Sequence, residues 1–116
     1  TPLWSYTTDG NIYSVAISSD GEYITAGSYD DKVYLFDKDR STPLWSYDTG
    51  GDLRSVAISA GGKYITAGSR DYKVHLFDKD SSTPLWSYST NDDVTSISIS
   101  AHLFALHLPS ILNFLD

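Results

Sequence analysis

Short runs of apolar residues, broken every few positions by glycine, aspartate or serine, fill most of this chain. "IYSVAIS" (Ile12–Ser18) is rich in β-branched residues and short enough for a buried strand. The Asp20–Gly21 pair that follows is a tight hairpin signal. "YITAGS" (Tyr23–Ser28) predicts a second strand, "YDD" (Tyr29–Asp31) a turn, and "KVYLFD" (Lys32–Asp37) a third strand. The polar stretch "KDRSTP" (Lys38–Pro43) connects to a short fourth strand, "LWSY" (Leu44–Tyr47). A helical period of 3.6 is found nowhere in this part of the chain, so the pattern predicts an all-β fold.

The same pattern returns. "TPLWSY" occurs at Thr1–Tyr6, Thr42–Tyr47 and Thr83–Tyr88, each 41 residues from the last. Residues 1–41 laid over 42–82 give 29 identities in 41 positions. Four short antiparallel strands in about 40 residues is the unit size of a propeller blade.

The stretches "SVAISSDGEYITAGSYDDKVYLFD" (Ser14–Asp37) and "SVAISAGGKYITAGSRDYKVHLFD" (Ser55–Asp78) resemble WD-repeat blades. Phe36–Asp37 and Phe77–Asp78 stand where that family has its Trp-Asp pair, and Asp30 and Asp71 match its b–c turn aspartate. The family's Gly-His pair before strand a is absent, so its Asp–His–Ser–Trp network does not carry over. "LWSY" is also similar to repeats of pyrroloquinoline-quinone-type propellers. The resemblance, which covers residues 1–100, implies a partial β-propeller of four-stranded antiparallel blades. Its strands a to d would give blade one at 12–47 and blade two at 53–88, leaving Leu3–Tyr6 as an orphan outer strand and 94–116 as an incomplete third blade.

The third repeat changes after Ser100 into "AHLFALHLPSILNFLD". This tail reads as two strands, His102–Leu108 and Ile111–Asp116, around Pro109–Ser110, improvising strands b and c of the third blade. Pro109 counts against the rival reading, one amphipathic helix. A frameshift or artificial junction is a third. On the strand reading, Leu3–Tyr6 of another chain supplies the missing d strand, and two chains of three blades close a six-bladed homodimer. The candidate assembly residues are Leu3, Trp4, Tyr6, Leu103, Phe104, Leu106 and Phe114.

Composition narrows the function classes. The 116 residues suit one small domain, and the net charge of −7 with no basic cluster argues against nucleic acid and anionic membrane as partners. Cysteine is absent, and no apolar run reaches membrane-span length. A targeting segment could precede Thr1. His75 replaces Tyr34 of the first unit and reads as a packing or surface residue; His102 and His107 miss the i, i+4 spacing of a helical metal pair. The "DKD" turns at Asp37–Asp39 and Asp78–Asp80 lack the longer calcium-loop pattern and read as solvated turns. Trp4, Trp45 and Trp86, one per repeat, suit either sugar stacking or packing between blades, with packing favoured. No metal site, cofactor or catalytic set is assigned.

Seven of the twelve positions that differ between units fall in or beside the d–a and b–c connections. In WD-like blades these share one rim. The candidate binding rim is therefore Asp9, Asn11, Tyr13, Tyr29, Asp31, Asp52, Arg54, Arg70 and Tyr72. The leading expectation is a non-enzymatic scaffold assembled as a homo-oligomer and binding a protein or glycan. The alternatives are a lectin-like propeller and a remnant of a quinone-cofactor enzyme. Similarity to archaeal surface propellers tilts the expected location to the cell surface or outside.

Overall fold

A computed structural model describes residues 1–90 in full and, beyond them, the strand backbone at 96–99, 104–107 and 112–115. The first sheet holds β1 (Ile12–Ile17), β2 (Tyr23–Ser28), β3 (Lys32–Asp37) and β4 (Trp45–Asp48), antiparallel and in sequence order. The second repeats it with β5 (Leu53–Ile58), β6 (Tyr64–Ser69), β7 (Lys73–Asp78) and β8 (Trp86–Ser89). The third has three strands, β9 (Ser96–Ile99), β10 (Phe104–His107) and β11 (Leu112–Leu115), with β11 at one edge. Among the described residues there is no helix. The remaining tail residues, Leu103 included, lie outside the described residues.

In the first two sheets the first three strands are joined by tight hairpins and the fourth by a seven-residue connection. Gly21 and Gly62, at φ +75° and +81°, close the β1–β2 and β5–β6 turns in the left-handed region that glycine enters without a Cβ penalty. Asp31 and Tyr72 hold the same region at the β2–β3 and β6–β7 turns, at φ +74° and +67°. The strain is held by a clamp from the following loop. Thr49 gives its N–H and Oγ1 to the Asp31 carbonyl at 2.8 and 3.0 Å, and Thr90 does the same to Tyr72 at 2.7 and 2.8 Å.

The sheets stack face to face, with β1 and β5 as neighbouring inner strands and β9 beside β5. The core lies between the first two sheets. Val33 and Leu35 of β3 meet Leu53, Val56, Ile58, Ile65, Ala67 and Phe77 of the second sheet, and Trp45 and Tyr47 close it at the rim. A Cβ on Gly27 would sit 2.8 Å from Leu53 Cβ, so this glycine sets how near the blades come. Polar ties hold the same junction: Val56 N–H donates to Ser14 Oγ at 3.2 Å, and Ser19 N–H donates to the Ala60 carbonyl at 3.0 Å.

One predicted element differs. Leu3–Tyr6 is not a strand, because among the described residues no strand lies alongside to complete a ladder. It nonetheless packs on the first sheet as β4 packs on the second. Trp4 lies 5.3 Å from Phe36 and Trp45 lies 5.0 Å from Phe77, centroid to centroid. Trp4 Nε1 donates to the Lys38 carbonyl at 2.7 Å, and Trp45 Nε1 to the Lys79 carbonyl at 2.8 Å.

Candidate interaction rim

The loops before β1 and β5 and the turns after β2 and β6 come together on one side of the stack. Tyr29 N–H donates to the Asn11 carbonyl at 2.8 Å, and Arg70 N–H to the Asp52 carbonyl at 2.9 Å. The approach needs glycine. A Cβ on Gly10 would meet Asp30 N at 2.6 Å, and one on Gly51 would meet Asp71 N at the same distance.

These contacts bring the sequence-predicted residues into two groups. In the first, Tyr13 of β1 stacks on Tyr29 with centroids 5.2 Å apart, and the Arg54 guanidinium of β5 lies 5.5 Å from the Tyr13 centroid. The Arg54 Nε is buried with no hydrogen-bond partner among the described residues. In the second, Arg70 reaches Asp52 at 4.0 Å, and Asp52 lies against Asp31. Partial burial raises the Asp31 carboxyl above the usual carboxylate range, and Asp52, Asp48 and Asp30 add like charge that pushes the same way. Tyr72, at the turn after β6, is half exposed, and Asp9 is exposed on the loop before β1.

Behind the rim runs a polar network built mostly from positions that are identical in the two units, so inter-unit differences do not mark it. In the second unit, Thr49 Oγ1 contacts Ser69 Oγ at 3.0 Å, Ser69 Oγ accepts from Asp71 N–H at 3.1 Å, and Asp71 Oδ2 meets His75 Nε2 at 3.2 Å. His75 Nδ1 continues to Ser87 Oγ at 2.7 Å. His75 is therefore a buried, fully partnered ring rather than a surface one, and burial lowers its pKa although Asp71 pulls the other way. In the first unit Tyr34 takes the same place: its hydroxyl donates to Asp30, and burial and that carboxylate together hold the phenol protonated far above its usual range. Tyrosine and histidine interchange here because each can reach the turn aspartate. The identity of Thr8 with Thr49, Ser28 with Ser69 and Asp30 with Asp71 across units was the available signal.

On the opposite side, Glu22, Asp37 and Asp39 place carboxylate oxygens within 4.8 Å of one another, a spacing a cation could use. Lys38 Nζ already sits 2.9 Å from Asp39. In the second unit Lys63 replaces Glu22 and pairs with Asp78 at 2.9 Å. The tryptophan indoles of Trp4 and Trp45 are engaged in packing against the adjacent sheet, which is the packing alternative for the once-per-repeat aromatic.

Four-stranded antiparallel sheets stacked through their inner strands make this chain a segment of a β-propeller. The sequence model for WD domain, G-beta repeat (WD40) matches residues 1–37 and 41–78, and the chain belongs to that family. Solved structures agree on the fold. The β-propeller domain of Myceliophteria thermophila Cps50 (Swd1) superposes with a TM-score of 0.81 at 18% identity, covering 95% of this chain and 37% of that one. The WD40 repeats of RRP9 give 0.77 at 16% identity, covering 86% and 33%, and U3-55K gives 0.78 at 16%, covering 86% and 34%. The chain thus spans about a third of the length of these structures. No curated protein sequence matches it.

Proposed function

We propose that this WD40 segment is a non-enzymatic scaffold whose rim binds a protein segment carrying basic and apolar side chains, and that two copies share one six-bladed ring. The crowding of Asp31 by Asp52, Asp48 and Asp30 carries the first part. Burial is the larger cause of the raised Asp31 carboxyl, and the like charge of its neighbours, which adds to it, is relieved when a cation arrives. The Tyr13–Tyr29 stack beside it offers a flat apolar surface to the same segment. The chain's net charge of −7 favours such a partner from a distance as well.

Affinity capture tests this with two baits. One is the wild-type chain; the other carries Tyr13→Ser, Tyr29→Ser, Asp31→Asn and Asp52→Asn together. A partner held by the first and released by the second, with the variant's circular dichroism unchanged, supports the rim. Equal capture by both overturns it. For the shared ring, light scattering on a sizing column expects twice the 12.8 kDa chain mass.

A further inference from the structure

The two open ends of this chain are complementary in detail. On the first sheet, Val15 and Ile17 of β1 are 64% and 60% exposed. Their counterparts one repeat later, the identical residues Val56 and Ile58, are 5% and 9% exposed. The difference is the neighbour: β5 is covered by the first sheet through Ala16, Val33 and Leu35, whereas the face of β1 that carries Val15 and Ile17, turned away from the second sheet, has no sheet against it among the described residues. The outer part of that open face is already roofed by Trp4 and Tyr6. What the face lacks is therefore three strands, not four.

The third sheet has three strands. Its pairing keeps the register of the blades: Ser96↔His107 and Phe104↔Leu115 stand where Ser14↔Gly27 and Ile24↔Phe36 stand in the first sheet. Leu112 and Phe114 thus hold the positions of Val33 and Leu35, the residues that cover a following blade. Among the described residues its edge strand β11 has no outer partner, and Leu3–Tyr6 is an outer strand's worth of chain that pairs in no sheet. A sheet edge and an extended segment that pairs with no sheet can complete one another by β-augmentation.

We infer that Leu3–Tyr6 of one copy pairs antiparallel with β11 of a second copy, placing Trp4 opposite Phe114, Ser5 opposite Asn113 and Tyr6 opposite Leu112. The register is that of Trp45↔Leu35, Ser46↔Tyr34 and Tyr47↔Val33 within the first sheet. The inference rests on the shared-ring reading and specifies its junction. One position works against tightness. His107 holds the place of Gly27, where any Cβ comes 2.8 Å from the residue that covers it.

Cysteine pairing tests the junction cleanly, since the chain has no cysteine of its own. Ser5→Cys and Asn113→Cys are combined in one chain; the counterparts of these positions, Ser87 and His75, touch at 2.7 Å in the second sheet. Oxidation is expected to yield a species of twice the 12.8 kDa chain mass on a non-reducing gel, absent when only Ser5→Cys is present. His107→Gly should tighten the dimer roughly tenfold, the usual size of relieved overpacking. A wild-type dimer by light scattering with no linked pair, or with a disulfide closed inside one chain, overturns the exchange and leaves the shared ring standing. A dimer that His107→Gly does not tighten also counts against this junction. A wild-type monomer at all concentrations removes both.

Discussion

Val15→Ala and Val56→Ala form an experiment that the repeat has set up. Residue type, strand position and flanking sequence are the same, "SVAIS" in both units. Only the covering sheet differs. Val→Ala removes two methyl groups, about 1.6 kcal/mol of transfer free energy at roughly 0.8 kcal/mol each. Val56, 5% exposed, loses nearly all of it and leaves a small cavity, for a total near 2 kcal/mol. Val15, 64% exposed, loses about a third, or ~0.5 kcal/mol. The strand-propensity loss is common to both and cancels in the comparison. Urea unfolding followed by tryptophan fluorescence, on dilute protein shown to be monomeric, should place the Val56→Ala midpoint clearly below that of Val15→Ala. Raising the concentration into the range of a dimer should bring the two costs together, because the second copy then covers Val15. Equal costs in the monomer would refute the assignment of the open face.

Three further outcomes follow from the same geometry. Burial lowers the His75 pKa in the folded chain, so the unfolded chain takes up the proton first. Stability is then fully present above the ordinary imidazole value of 6.5 and is lost as pH falls from there toward the folded value; His75→Tyr, the residue of the first unit, should remove that slope in pH-dependent melting. Glu22→Lys copies the Lys63–Asp78 pair into the first unit and should raise the urea midpoint slightly at low salt, with the gain fading in high salt. Tyr72→Gly relieves a left-handed backbone held at φ +67° and should raise the melting midpoint, a net gain of ~0.5–1 kcal/mol after glycine's entropy cost, while weakening capture of the rim's partner.

Local order was legible because each strand is short, β-branched and bounded by turn residues whose conformations are built into the chain. Tyr23–Ser28 and Lys32–Asp37 fall where the pattern puts them. The 41-residue period then fixed the blade, since a sheet of this length cannot bury its own faces and must stack on a copy. The rim was visible as a place where the two units differ, and its loops do meet there. The stack of Tyr13 on Tyr29, the reach of Arg54 across from the next blade, and the crowding of Asp31 were not visible, because each joins residues whose separation depends on how two sheets pack. His75 shows the same limit: a lone histidine reads as neutral filler until Asp71 and Ser87 are found on either side of its ring. Sequence alone set the period, the strands and the turns, which are contests between neighbours along the chain. Tertiary structure alone decided which of two identical valines is buried, because burial is a property of what lies opposite and not of the residue.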